Sequence, residues 1–269
     1  MGISVEKARE LTVAFTQDYP GALELGFKFR DTPVDLYGDR GVNLPMMAGY
    51  RSKSQANSQG LKGTIDVALN NVPNEEEFIK SLRHEVLGHY GINSFAPEDK
   101  KLLLEGIIEA KNDLPFKNLW NYVVKHYPNE SILMQAEEVL AYRVETLEPE
   151  LHKDNPNIHS MGAKSFRDTC VEKSRLMTVE DLDNITLMIA QGIRDKTREQ
   201  KTFPVYGIFG RQAEELIDKI LQNLPPDTQR MARENVEKAR QAQSPAPEHH
   251  QDMAVSYTHL RAHETLRYL

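Results

Sequence analysis

His84 and His89 stand five residues apart, with Glu85 beside the first, in a stretch whose apolar spacing predicts a helix. Five is an awkward interval. At 3.6 residues per turn it sets two side chains about 140° apart around an ideal α-helix, against about 40° for an interval of four. Taking up one extra residue as a π-bulge restores a shared face, and such bulges concentrate at functional sites. Gly88, which has no Cβ, is placed to ease the distortion. Asn74 is a suitable N-cap, with Glu77 three residues on to close a capping box. Phe78, Leu82, Glu85 and His89 follow one stripe, and Gly91 and Asn93 supply stop signals.

The residue types in this motif suit metal chemistry. Neutral imidazole nitrogens are good zinc ligands, and a carboxylate next to the first ligand can act as a general base on a metal-activated water. A further acidic pair, Glu137-Glu138, lies downstream on an amphipathic helix and can complete the ligand set. The plain alternative is that the histidines are surface helix residues and the glutamates a solvated pair. A site that binds metal without turnover is a third reading.

Bulk properties narrow the field. The chain has 269 residues, enough for a proper core, with net charge −7 and a pI near 5.8. That balance offers no global basic field for nucleic acid, although a local patch remains open. Cys170 is the only cysteine, so no internal disulfide forms, and it is expected to be a small core residue in a reducing compartment. No apolar run reaches bilayer length and the start lacks a secretory pattern, so a soluble cytoplasmic protein with no membrane partner is expected.

Residues 4–18 form an amphipathic helix, with Val5, Ala8, Leu11 and Phe15 on one side. Residues 22–29 alternate as a strand, with Leu23, Leu25, Phe27 and Phe29 on one face. Residues 31–63 look like loop, and 64–69 like a second strand. Helices follow near 97–112, 115–127 and 129–148, the third capped by Asn129. Past Pro149 the chain turns polar, then resumes as helices near 162–175, 178–199, 211–224 and 228–243, with 203–207 as a connection. The segment from Ser244 is expected to be disordered. Residues 255–269 resemble a peptide at the ends of many unrelated metagenome-derived reading frames, where it looks like translated sequencing adapter. His259 and His263 are therefore left out of the site.

Two short motifs carry a family resemblance. His84-Glu85-Val86-Leu87-Gly88-His89 resembles the HExxGH signature of dipeptidyl peptidase III-type zinc peptidases, and Glu137-Glu138-Val139-Leu140-Ala141 most of that family's EExxAE motif. The resemblance implies zinc, one per chain, on His84, His89 and Glu138. It implies Glu137 orienting a histidine and Glu85 as catalytic base. Tyr142 stands where the family has an acid. Over roughly residues 5–148 the order of elements is similar to zincin-type metallopeptidase domains in polyvalent proteins of phages, plasmids and integrative elements.

The resulting expectation is an α+β fold: a mainly helical zincin-like domain with a small sheet over 1–150, a helical extension over 151–243, and a tail over 244–269. Its function would be zinc-dependent hydrolysis of peptide bonds in a protein or peptide substrate, encoded by a mobile genetic element, with nucleic acid not indicated by net charge. Zinc would lower the pKa of its water to about 7, and Glu85 would take the proton. Oxyanion donors are sought among Tyr50, Tyr90, Tyr142, His152 and His159. His126, at a helix end, is read as a dipole partner. The strand at 64–69 is a candidate edge for pairing with extended substrate, or else an ordinary sheet strand. The rival function is a non-catalytic, metal-stabilised module that binds a partner protein or DNA.

Overall fold

The structure is a computed structural model that describes residues 2–52, 60–128, 130–152 and 176–202. Cys170, Asn129, the predicted helices at 162–175, 211–224 and 228–243, the connection at 203–207 and everything from Ser244 onward lie outside the described residues.

The described fold is α+β, mainly helical with one small sheet. Helix α1, Val5–Asp18, is capped by Ser4, whose side chain accepts from the Lys7 N–H. A 3-10 turn over Pro20–Glu24 follows, so the strand starts later than its alternation predicts. Strand β1 is Leu25–Arg30, and Leu23, expected on its inner face, is 59% exposed.

The stretch from 31 to 63, expected to be loop, contains two further elements. Helix α2, Pro33–Tyr37, opens on a reciprocal capping box between Thr32 and Asp35. Strand β2, Ala48–Ser52, has no β-branched residue to announce it. Strand β3, Gly63–Ala68, lies between the other two, parallel to β1 and antiparallel to β2. A strand in that place has both edges paired, so residues 64–69 are not an edge for an extended substrate. Asp66 on β3 is fully buried, accepting from the Tyr37 hydroxyl at 2.9 Å and from Arg51.

Helix α3, Glu75–Leu82, is capped by Asn74, whose Oδ1 accepts the Glu77 N–H at 2.9 Å. It runs straight into a π-helix, Arg83–Tyr90. Helices α4, Pro97–Glu109, α5, Leu114–His126, and α6, Ile132–Leu147, follow, the first two opening on prolines and α6 capped by Ser131. Helix α7, Val179–Arg194, starts on a Thr178–Asp181 capping box. Its Leu182, Ile185, Ile189 and Ile193 join the same apolar core as Phe78, Leu82, Val86, Trp120 and Leu140. Gly91 lets this helix close in: a Cβ there would stand 2.4 Å from Ile189 Cγ2. Among the described residues, no helix is long and apolar enough to cross a membrane.

Candidate metal centre

The five-residue interval is resolved by the backbone itself. The whole motif, Arg83 to Tyr90, winds as π-helix rather than as α-helix with one bulge. Hydrogen bonds from i to i+5 stack residues five apart, and so His84 falls over His89. Gly88 also has a task that its motif does not suggest. It faces α6, where a Cβ would lie 2.7 Å from Ala141 Cβ and 2.8 Å from Ala141 Cα. The missing side chain lets the π-helix and α6 touch.

That contact brings Glu138 to the histidines. His84 Nε2 and His89 Nε2 are 3.2 Å apart. Glu138 Oε2 lies 3.4 Å from the first and Glu138 Oε1 3.5 Å from the second. A tetrahedral ion with bonds of about 2.0–2.1 Å separates its ligand atoms by about 3.3–3.4 Å. The three side chains therefore have the spacing of ligands around one small cation. His84 and His89 are fully buried and Glu138 is 1% exposed.

The outer nitrogens point the same way. His89 Nδ1 lies 3.3 Å from Glu137 Oε1, and His84 Nδ1 lies 3.2 Å from Glu145 Oε2. With both carboxylates ionised, and so only accepting, each Nδ1 would carry the proton and each Nε2 would present a lone pair. Two such lone pairs facing each other at 3.2 Å, beside a carboxylate, would be able to hold a cation between them. Charge favours a cation as well. Glu85, Glu137, Glu138 and Glu145 are all buried in this cluster, while Lys100 is the one buried ammonium or guanidinium among the described residues. Lys100 Nζ meets Glu137 Oε2 at 3.1 Å and donates to Asn93 Oδ1 at 2.7 Å. Burial pulls the Lys100 pKa down, and Glu137 works against that shift. A dication would offset much of the remaining negative charge.

The sequence motifs did not mark Lys100 or Glu145. Lys100 sits in the first turn of a helix that otherwise reads as amphipathic. For Glu145 there was a signal: it follows Glu138 by seven residues, two turns along the same helix face.

The other expected site residues are placed less favourably. Glu85 is buried within the cluster, one ligand atom from each of His84, Glu85 and His89 lying within 4.8 Å of the others. Its Oε2 accepts the main-chain N–H of Tyr50 at 2.8 Å, which ties the motif to strand β2. As oxyanion donors, the tyrosines do not match expectation. The Tyr50 hydroxyl donates to Gln200 Oε1 at 3.2 Å, and the Tyr90 hydroxyl to Glu24 Oε2 at 2.8 Å. Both phenols are driven up in pKa, first by burial, and stay protonated donors to these partners. Tyr142 packs its ring edge-on to His84, centroids 5.2 Å apart. His159, and the side chain of His152, lie outside the described residues. His126 Nδ1 stands 2.7 Å from the Tyr122 carbonyl, away from the cluster.

Over 222 residues, the chain is 41% identical to a protein named DNA primase TraC, from Escherichia coli. The match takes in 81% of this chain but only 15% of that protein, so the chain spans a small part of its relative. No family model and no solved structure matches.

This similarity overturns the peptidase expectation. The relative is named for primase work on DNA, not for cleaving peptide bonds. The resemblance to zincin-type and dipeptidyl peptidase III-type enzymes rests on two short motifs, and the hydrolase, protease and metalloprotease assignments fall with it. So does the protein or peptide substrate, and with it the view that nucleic acid is not indicated. The physical reason is that HExxGH and EExxA encode a local ligand geometry, which unrelated functions share, whereas 222 aligned residues reflect most of the chain.

Proposed function

We propose that this chain is a non-catalytic, metal-stabilised module of a primase-like protein of a mobile element, and that it binds nucleic acid. The observation that carries this is the 41% identity to a protein named DNA primase TraC. Because the chain spans 15% of that relative, primer synthesis itself is not carried over; an interaction role within such a protein is.

In this reading His84, His89 and Glu138 hold one zinc ion per chain, with Glu137 behind His89. Zinc would supply folding energy, cross-linking the π-helix to α6 and neutralising the buried carboxylates. The ligand spacing of 3.2–3.5 Å and the excess of buried acid over buried base support it.

With a net charge of −7, DNA contact has to be local. The groove along the outer strand β1 is the surface best suited to it. It encloses about 730 Å³ and is lined by Arg9, Lys28 and Arg30 with the half-buried rings of Phe27 and Phe29, though Asp31 and Asp35 also face it. The cations can pair with the phosphates of a single strand, and the rings of Phe27 and Phe29, which pack on the core from within, leave a part-exposed apolar wall for its bases.

The test is fluorescence anisotropy of labelled single- and double-stranded oligonucleotides, with zinc-loaded and chelator-treated protein over a salt series. Binding should favour the single strand, need the metal, and weaken with salt with a slope worth about two or three phosphates. Arg9→Glu with Lys28→Glu should abolish it while zinc content is unchanged. No binding by zinc-loaded protein to either strand form at low salt sinks the nucleic-acid role.

A further inference from the structure

Each imidazole of the cluster has an acid behind it, and the acid behind His84 comes from outside the Glu137-Glu138 pair. Glu145 is 6% exposed, and its Oε2 lies 3.2 Å from His84 Nδ1. Seven residues along an α-helix bring a side chain back to within about 20° of the same direction. Glu138, Ala141 and Glu145 thus form one stripe of α6, facing the π-helix. In the middle of that stripe, Ala141 lies where a Cβ on Gly88 would be only 2.7 Å away. The backbone that carries Glu145 is therefore held at a fixed distance from the helix that carries His84. Tyr142, whose ring stands edge-on to His84 at 5.2 Å, closes the other side of the imidazole.

We infer that Glu145 is a positioning residue of the metal centre. Its carboxylate accepts the Nδ1–H of His84, fixes that tautomer, and turns the Nε2 lone pair toward His89 and Glu138. Glu137 does the same for His89 at 3.3 Å while also meeting Lys100. Each imidazole ligand is then oriented by a carboxylate of α6, one on either side of the ligand Glu138. The inference rests on the metal-binding reading given above.

The experiment uses the full chain, stripped of metal and titrated with zinc against a chromophoric chelator, and with cobalt(II) as a spectroscopic probe. Glu145→Gln and Glu145→Ala should weaken zinc by about ten- to a hundredfold, the usual effect of losing such a partner. Their cobalt spectra should change, and Glu145→Asp should recover part of the affinity. A purely structural Glu145 would lower the melting temperature of the metal-free protein and leave affinity and spectrum alone. That result overturns the inference. Nitrogen-15 NMR of the zinc-loaded wild type needs no variant to fold. It should show His84 protonated at Nδ1, and an Nε2–H form would overturn the inference as well. Absence of zinc binding by the wild type would instead remove the metal reading beneath it.

Discussion

Gly88 lies so close to Ala141 that a Cβ on the glycine would stand 2.7 Å from the alanine Cβ. The two residues belong to the π-helix and to α6, and their contact sets the distance across which Glu138 reaches both histidines. Backbone proximity, rather than side-chain length, governs the site. Gly88→Ala should cost about 1–3 kcal/mol of stability through overpacking. It should also loosen zinc, because the helices must part. Adding Ala141→Gly should restore much of both. Thermal melts and chelator competition on the two single variants and the double variant measure the coupling, and strictly additive effects would show that the contact is not shared.

If the module is non-catalytic, as proposed, the neighbours Glu85 and His84 have separable roles. Glu85→Gln keeps an oxygen to accept the Tyr50 N–H, now made at 2.8 Å. The variant should retain zinc, fold and DNA binding. His84→Ala removes a ligand and should lose zinc, with DNA binding lost alongside. Far-UV circular dichroism, metal content and anisotropy on both variants check this. Loss of DNA binding in a folded, zinc-loaded Glu85→Gln protein would show that the carboxylate itself has a role.

Lys100 and Glu137 are an ion pair with essentially no exposure, at 3.1 Å. Removing one partner of a buried pair leaves an uncompensated charge and costs about 3–5 kcal/mol. Lys100→Met should lower the denaturant midpoint accordingly. Lys100→Met with Glu137→Gln should be less damaged than the single variant, since the orphaned charge is gone. A single variant as stable as wild type would show that solvent or the metal already neutralises Glu137.

The segment after α7 is held to the body by main-chain hydrogen bonds and by one ion pair that titrates. The N–H groups of Lys201 and Thr202 donate to the Asn93 carbonyl, and Lys62 pairs with Glu199 at 2.8 Å. Glu199 is held below the usual carboxylate range, chiefly by its hydrogen bond to Lys62. Burial lowers the Lys62 pKa, but its bonds to Glu199 and Glu24 outweigh this and raise it overall. A depressed acid contributes its stability above the unfolded pKa, here near 4.5, and loses it as pH falls through the folded value. Lys62, raised above 10.5, contributes below that value and loses its share as pH climbs through the folded one. Amide chemical shifts of Lys201 and Thr202 should therefore be flat between those limits and move at acid pH with a midpoint below 4.5. In Glu199→Gln the acid transition should vanish. The effect will be small, since Glu199 is largely exposed.

Much of the helical framework is legible in the chain. Ser4, Asn74 and Thr178 cap helices, Pro97 and Pro115 open them, and apolar spacing marks the faces of α1, α5 and α6. Such signals are local, because a cap or a stripe is settled by residues within a turn or two. The interval between His84 and His89 also announces an irregular helix, and Arg83–Tyr90 is one. Strand β2 is different. Ala-Gly-Tyr-Arg-Ser has little strand propensity of its own and is extended because β3 pairs with it.

What the sequence alone determined is therefore most of the described helices, the irregular motif and the residue types able to grip a cation. Only the tertiary structure decided that Gly88 serves a helix contact, that Glu145 backs His84, that Lys100 is buried against Glu137, and that the strand at 63–68 is central. Each depends on atoms brought within a few ångströms by chain segments far apart in sequence, and no local pattern encodes that approach.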